Sequence, residues 1–185
     1  ADPKPTMPPS CRVNRVIRDI PSHHVVAGNR RTSLRQDVLA ELERRGQACR
    51  CIRCREIRDQ AVQPADLRLD DFTYPAAGAE EHFLQYTTPD DRLAGYLRLS
   101  LPNPDSSTCV TDVLTDLQGA ALVREVHIYG QSLAVGAGQA GAAQHTRLGT
   151  APMQHAPALA QGHGSPRPAA APIPHLTLPP VPSVE

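Results

Sequence analysis

Three of the chain's five cysteines fall within six residues, in Cys49-Arg50-Cys51-Ile52-Arg53-Cys54. No other feature constrains the fold as much. A C-x-C-x-x-C run can turn back as a tight knuckle that brings three thiolates to one tetrahedral ion, with a fourth ligand supplied from elsewhere. Cys49, Cys51 and Cys54 are therefore candidate ligands of a structural zinc ion. Inert or reactive thiols, or a disulfide with one spare thiol, remain open as other readings. The disulfide would need an oxidising compartment. No charged, then apolar, then small-residue leader opens the chain, and no apolar run reaches the roughly 18 residues of a membrane span. A cytoplasmic protein without a membrane partner is expected. An iron–sulfur cluster fits the run less well, because such clusters want a fourth thiolate nearby.

Charge is divided rather than scattered. The 185 residues sum to a formal net charge of zero, yet residues 1–60 carry thirteen basic and seven acidic side chains, against six and twelve in the remainder. A basic half suits a polyanion. Lys4 is the single lysine; arginine forks bind phosphate well, but a GC-rich coding bias gives the same richness. Aromatic content of 3% with no Trp is thin material for a large core.

Residues 1–10, with four prolines and no initial Met, read as an extended arrival from something upstream. From Cys11 to Ile20, loose alternation of apolar and basic residues predicts a strand with arginines on one face. The clearest helix follows. Ser33 and Gln36 spell a capping box, Leu34, Val38 and Leu42 form an i, i+4, i+8 stripe, Glu41 and Arg45 pair, and Gly46 stops the helix. Beyond residue 64, Leu67 to Tyr74, His82 to Thr87, Leu93 to Leu101 and Ala121 to Tyr129 read as strands of an antiparallel meander. Gly130 to Ala143 holds four glycines, and nine prolines lie between Pro152 and Glu185. Each proline removes a donor and fixes φ, so this tail is expected to form neither a packed helix nor a central strand.

Several segments, in order, carry a resemblance: Cys11-Arg-Val-Asn-Arg-Val-Ile-Arg-Asp-Ile-Pro21, Asn29-Arg-Arg-Thr-Ser-Leu-Arg-Gln36, Cys49-Arg-Cys-Ile-Arg-Cys-Arg-Glu56, Arg124-Glu-Val-His-Ile-Tyr-Gly130 and Gln144-His145-x-x-Leu148-Gly149. Over residues 1–149 the chain resembles the catalytic subunit of Elongator, in its bacterial and archaeal stand-alone form. The resemblance implies an enzyme that joins a radical-SAM barrel to a GNAT-type acetyltransferase domain. Such enzymes build a carboxymethyl group on carbon 5 of the tRNA wobble uridine from acetyl-CoA and S-adenosylmethionine. The implied fold is α/β. Residues 1–62 would be the end of the barrel with the zinc knuckle, 63–150 the opening, incomplete part of the GNAT sheet, and 151–185 a disordered or aberrant Pro-rich tail. The partner implied is tRNA, with Arg12, Arg15, Arg18, Arg30, Arg31 and Arg35 on its phosphates. A homodimer, or the missing parts of the same enzyme, would be further partners.

GNAT domains hold the CoA pyrophosphate on backbone N–H groups at a glycine-rich strand-to-helix turn, where glycine permits close approach and the helix N-terminus favours negative charge. The resemblance assigns this role to Gln144, His145, Leu148, Gly149 and Thr150, with Arg147 where the first glycine is expected. It also runs Glu125, Val126, His127 and Ile128 along the acetyl-CoA cleft. His127 has two other readings: a structural histidine of its strand, or, like Cys109, the missing metal ligand. His23 and His24 point oppositely in extended chain and read as surface residues.

The C-x-x-x-C-x-x-C motif that a radical-SAM iron–sulfur cluster needs is not in this sequence, and the later GNAT strands with their tyrosine pair have no counterpart. A fragmentary or frame-disturbed gene product, inactive by itself, is therefore expected. Two rival classes stand beside it: a plain GNAT N-acetyltransferase, and a non-catalytic zinc-stabilised tRNA-binding module built on residues 11–58.

Overall fold

The alternation of Leu97, Leu99 and Leu101 places one row of a strand against a core, and the fold grows from that strand. A computed structural model describes residues 3–14, 21–28, 30, 33–58, 60–76, 78–103, 117–130, 150–165 and 168–170. Strands β1 (Arg68–Ala76), β2 (Ala79–Thr87), β3 (Leu93–Pro102) and β4 (Ala121–Ile128) form an antiparallel meander, and β5 (Pro168–Ala170) adds in parallel to β4. β2 is buried from Glu81 to Thr87, and β3 is buried throughout except at Arg98. Central strands closed on both faces need two covers. Helix α3 (Thr150–Gly162) lies over one face, where Ala156 and Ala160 meet Leu84, Leu97, Leu99, Leu101, Ala121 and Val123. The other face receives the N-terminal half, with Ile52 packed among Phe83, Leu93 and Tyr96.

That N-terminal half is organised by α1 (Leu34–Arg44) and α2 (Ile52–Arg55). The α1 stripe buries Leu42 against Cys49 and Cys51, with Val38 and Leu39 beside it. Ser33 stands at the helix start without a side-chain capping bond, so the expected capping box does not form. The stop is as expected. Gly46 takes φ +65°, its N–H bonds the Glu43 carbonyl at 2.9 Å, and the Gln47 N–H reaches the Leu42 carbonyl at 2.8 Å. This is a Schellman ending, open to glycine because it lacks a Cβ. Glu41 pairs with both Arg44 and Arg45, each at 2.7 Å.

The chain leaves α2 along the start of β3, where the Ile57 N–H bonds the Leu93 carbonyl at 3.1 Å. Gly95 then allows β3 and β4 to close up: a Cβ there would stand 2.6 Å from Ile128 Cδ1 and 2.9 Å from the His127 carbonyl oxygen. A bulge opposite Arg98–Leu99 pairs Arg98 with Glu125 and Leu99 with Val123. Arg124 is the extra residue, and the alternation of β4 reverses across it.

Two expectations need correction. Cys11 to Asn14 have no regular secondary structure, so that end of the anticipated strand is absent; residues 15–20 lie outside the described residues. The tail after residue 150 does fold in part, into α3 and β5. Pro152 falls in the first turn, where its missing N–H had no intrahelical partner anyway. Pro157 removes one interior bond, but the alanine face of the same helix is fully buried, and that packing outweighs one lost donor. Residues 171–185 lie outside the described residues.

Candidate functional site

The three thiols converge. The sulfurs of Cys49, Cys51 and Cys54 all lie within 4.8 Å of one another. The knuckle is made by α2, whose first carbonyl, on Cys51, accepts the N–H groups of Cys54 at 3.0 Å and Arg55 at 3.2 Å. Leu42, Met7, Val13, Val38 and Leu39 wall it from water. Burial opposes charge on Cys51, yet backbone hydrogen bonds from Val13 and Cys54 and the neighbouring thiols hold its thiol below the usual value. Burial, and then the Cys51 sulfur, push Cys54 up to about 12. Thiolate is the form that ligates a soft cation, and binding would displace the thiol protons. The donor set therefore fits zinc. The buried Lys4 ammonium sits 3.9 Å from both Cys49 Sγ and Cys54 Sγ. Among the described residues no histidine or carboxylate joins the three sulfurs, so His127 is not the fourth ligand; Cys109 lies outside the described residues.

Arg55 locks the knuckle to the sheet. It is buried, and it donates to the carbonyls of Arg50 and Pro9, to Asp91 and to Gln85 at 2.7–3.1 Å. The arginines expected at tRNA are placed less simply. Arg12 pairs with Glu56 and donates to the Tyr129 hydroxyl at 2.8 Å, and Arg35 donates to the Val13 carbonyl. Both thus hold the N-terminal segment in place. Arg30 reaches the Val26 carbonyl at 3.4 Å from an exposed position. Arg15, Arg18 and Arg31 lie outside the described residues.

On β4, Glu125 and His127 face the side that the N-terminal half covers. Glu125 accepts from the Tyr96 hydroxyl and from Arg98 Nε. His127 stacks on Tyr96, with ring centroids 5.8 Å apart and planes 12° from parallel, and Tyr129 completes the aromatic group. Burial, then the bond to Glu125, raise the Tyr96 hydroxyl above its ordinary value. Burial pushes Tyr129 up to about 12, against the opposing charge of Arg12. Val126 packs toward α3, and Ile128 packs with Ile57, Tyr86 and Ala94. The outer edge of β4 pairs with β5 only at Ala121, Leu122 and Val123. From Arg124 to Ile128 that edge has no strand partner among the described residues. Gln144, His145, Leu148 and Gly149 lie outside the described residues; Thr150 opens α3.

Sequence reasoning missed Lys4, Arg55 and Arg98. Only Lys4 carried a signal, as the single lysine in a chain of arginines.

A parallel strand added beyond an antiparallel meander, with a helix crossing between them and a thiol knuckle docked behind, is the architecture of a mixed α/β protein. Similar proteins narrow that class. No protein-family model matches the chain. A tRNA uridine(34) acetyltransferase of Dehalococcoides mccartyi is 41% identical over 170 residues, which is 87% of this chain and 35% of that protein. Elongator complex protein 3 of Drosophila melanogaster is 37% identical over 166 residues, 86% of this chain and 29% of that one. The solved structure of Elp3 from the archaeon Methanocaldococcus infernus, with its N-terminus deleted, superposes with a TM-score of 0.69 at 29% identity, covering 88% of this chain and 38% of that chain. The chain spans about a third of the length of these relatives. Across about 87% of its own residues, it resembles the catalytic subunit of Elongator.

Proposed function

We propose that this chain carries the junction of an Elongator-type tRNA uridine-modifying enzyme, with the end of the radical-SAM part in residues 1–62 and a GNAT acetyl-CoA fold from residue 63 onward. One observation carries the second half of this reading: β5 pairs in parallel with β4 at Ala121, Leu122 and Val123, and from Arg124 to Ile128 that edge of β4 has no strand partner among the described residues. An open edge of a strand offers its backbone groups to an amide-bearing chain, and a helix N-terminus such as that of α3 suits phosphates. Glu125 to Ile128 would present the backbone edge, and Gln144, His145, Leu148, Gly149 and Thr150 the phosphate turn. Acetyl-CoA, when bound, supplies the acetyl group. The chain's own part is to bind and orient: Tyr96, Arg98 and Glu125 brace β4 from behind so that its edge keeps its shape.

Zinc at Cys49, Cys51 and Cys54 would be structural, fixing the knuckle that docks the N-terminal half on the sheet. Transfer RNA would meet the basic N-terminal half, and the product would be the 5-carboxymethyl wobble uridine. The residues present do not fit an iron–sulfur cluster, since the thiol spacing differs from a radical-SAM motif and no fourth ligand joins the trio among the described residues.

Calorimetric titration with acetyl-CoA tests this reading. Saturable one-to-one binding is expected, and it should tighten in Arg147→Gly, where a bulky side chain at the phosphate turn gives way to an open backbone. No heat of binding from either protein would overturn the acetyl-CoA reading, and weaker binding in the variant would make Arg147 a phosphate ligand.

A further inference from the structure

A buried ammonium stands beside the three thiols, brought there from the other end of the N-terminal half. We propose that Lys4 is the positioning cation of the zinc site: it donates to the ligand sulfurs of Cys49 and Cys54 and balances the charge they carry with the ion. The inference rests on zinc at Cys49, Cys51 and Cys54.

Lys4 is only 4% exposed, and burying an ammonium is costly unless acceptors or opposite charge surround it. Its Nζ lies 3.9 Å from Cys49 Sγ and 3.9 Å from Cys54 Sγ, within reach of a hydrogen bond to sulfur. These sulfurs are 45 and 50 residues away in sequence, so the fold makes the contact, not the local chain. A short 3₁₀ turn, Lys4–Thr6, presents the lysine. Pro3 and Pro5 fix φ on either side of it. The Met7 N–H bonds the Lys4 carbonyl at 3.3 Å, and the Met7 side chain packs on the cluster of Leu42, Cys49 and Cys51.

Charge gives the lysine its purpose. A divalent ion with three thiolates carries one net negative charge, and the apolar wall around the knuckle cannot solvate it. One ammonium brings the sum to zero. Arg55, the other buried cation among the described residues, is already engaged by Arg50, Pro9, Asp91 and Gln85. An ammonium is a compact point charge with three donors, whereas a guanidinium is a broad planar fork. The chain's single lysine thus stands where two sulfurs flank one small cation.

Zinc titration of the full chain against a chromophoric chelator tests the role, with cobalt(II) as a spectroscopic stand-in for zinc. Wild type and Lys4→Met should each hold one equivalent, with affinity weakened in the variant by about 10–100-fold. The cobalt d–d bands should stay unchanged, because the ligands do. The sulfur-to-cobalt charge-transfer band of Lys4→Met should move to longer wavelength, since its sulfurs have lost an N–H donor. Lys4→Arg keeps the charge and should recover part of the affinity, which a merely packing role for the side chain would not predict. Circular dichroism of the metal-free proteins shows which variants fold, and Lys4→Gln takes the place of Lys4→Met if that one does not. Equal zinc affinity in wild type and the neutral variant would overturn the inference and leave the zinc knuckle intact. Altered d–d bands would overturn it too, by making Lys4 a ligand. A wild type that binds no zinc would remove the knuckle reading and this inference with it.

Discussion

The two faces of the sheet are covered by opposite means. On one side α3 lies flat and apolar, with Ala156 and Ala160 against leucines of β3. On the other, irregular chain is held by directional bonds: Arg55 to four partners, Arg98 Nη1 to Tyr74 and its Nη2 to the Ser10 carbonyl, and Arg12 to Glu56 and Tyr129. A helix satisfies its own backbone and needs only a matching surface. Irregular chain leaves carbonyls bare, and buried arginines answer several at once, since each guanidinium offers five donors. The difference teaches where damage should be local and where it should spread.

Breaking the knuckle should have the largest effect. Structural zinc contributes about 10–16 kcal/mol of apparent binding free energy in small zinc-dependent folds. Treatment with a chelator, or the change Cys51→Ser, should strip amide-exchange protection from α1, α2 and the segment joining them. Protection in β2 and β3 on the α3 side should persist in part. Unchanged protection across residues 34–57 would show that the thiols are not a metal site and that the N-terminal half stands on its other contacts.

Removing the arginine clamp comes next. Arg55→Ala leaves Gln85 and the Pro9 carbonyl without their charged donor and should cost about 3 kcal/mol or more in denaturant unfolding. Loss of less than about 1 kcal/mol would mean that water replaces the guanidinium at no penalty, and the polar cover would then be no more specific than the apolar one.

Most of the sheet was legible in the sequence. Leu97, Leu99 and Leu101 alternate as a half-visible pattern, turn residues separate the strands, and the α1 stripe with Gly46 fixes a helix within a residue or so of its observed bounds. The polar cover was not legible, because nothing local marks Arg55 as buried or Arg98 as anything but the outward member of an alternating strand. Gln85 lies 30 residues from Arg55, and Ser10 lies 88 from Arg98. The tail misled for the opposite reason. Counting prolines weighs backbone donors and leaves out the buried alanine face that makes up for the one lost at Pro157. At the candidate site, the thiol spacing announced the knuckle, whereas Lys4, which meets Cys49 and Cys54 from 45 and 50 residues away, belongs to no motif.

On the apolar side, a packing change should act more mildly than the loss of Arg55. Ala160 is fully buried between α3 and the sheet, so Ala160→Leu inserts volume into a closed layer. Overpacking of this kind costs about 1–3 kcal/mol, and the resulting shift in the urea midpoint should leave exchange protection in α1 and α2 unaltered. Loss of protection there would show that the two covers are coupled through the sheet, and the contrast between them would fail.

The smallest effect is expected at Glu41, which belongs to neither cover. Hydrogen bonds from Arg44, then from Arg45, hold its carboxyl down to about 2 from an ordinary value of 4.5. A depressed folded-state value means that the ionised form favours the native state. The contribution is complete above about pH 4.5 and fades as the pH falls toward about 2. Because the pair is fully exposed, salt and solvent screen it. Glu41→Gln should therefore leave neutral-pH stability nearly unchanged and flatten the acid limb of a pH titration of α1 helicity only slightly, the more so at low salt. A large loss at pH 7 would place Glu41 in the framework that holds α1 against the knuckle, and would make the surface of that helix a third structural element beside the two covers.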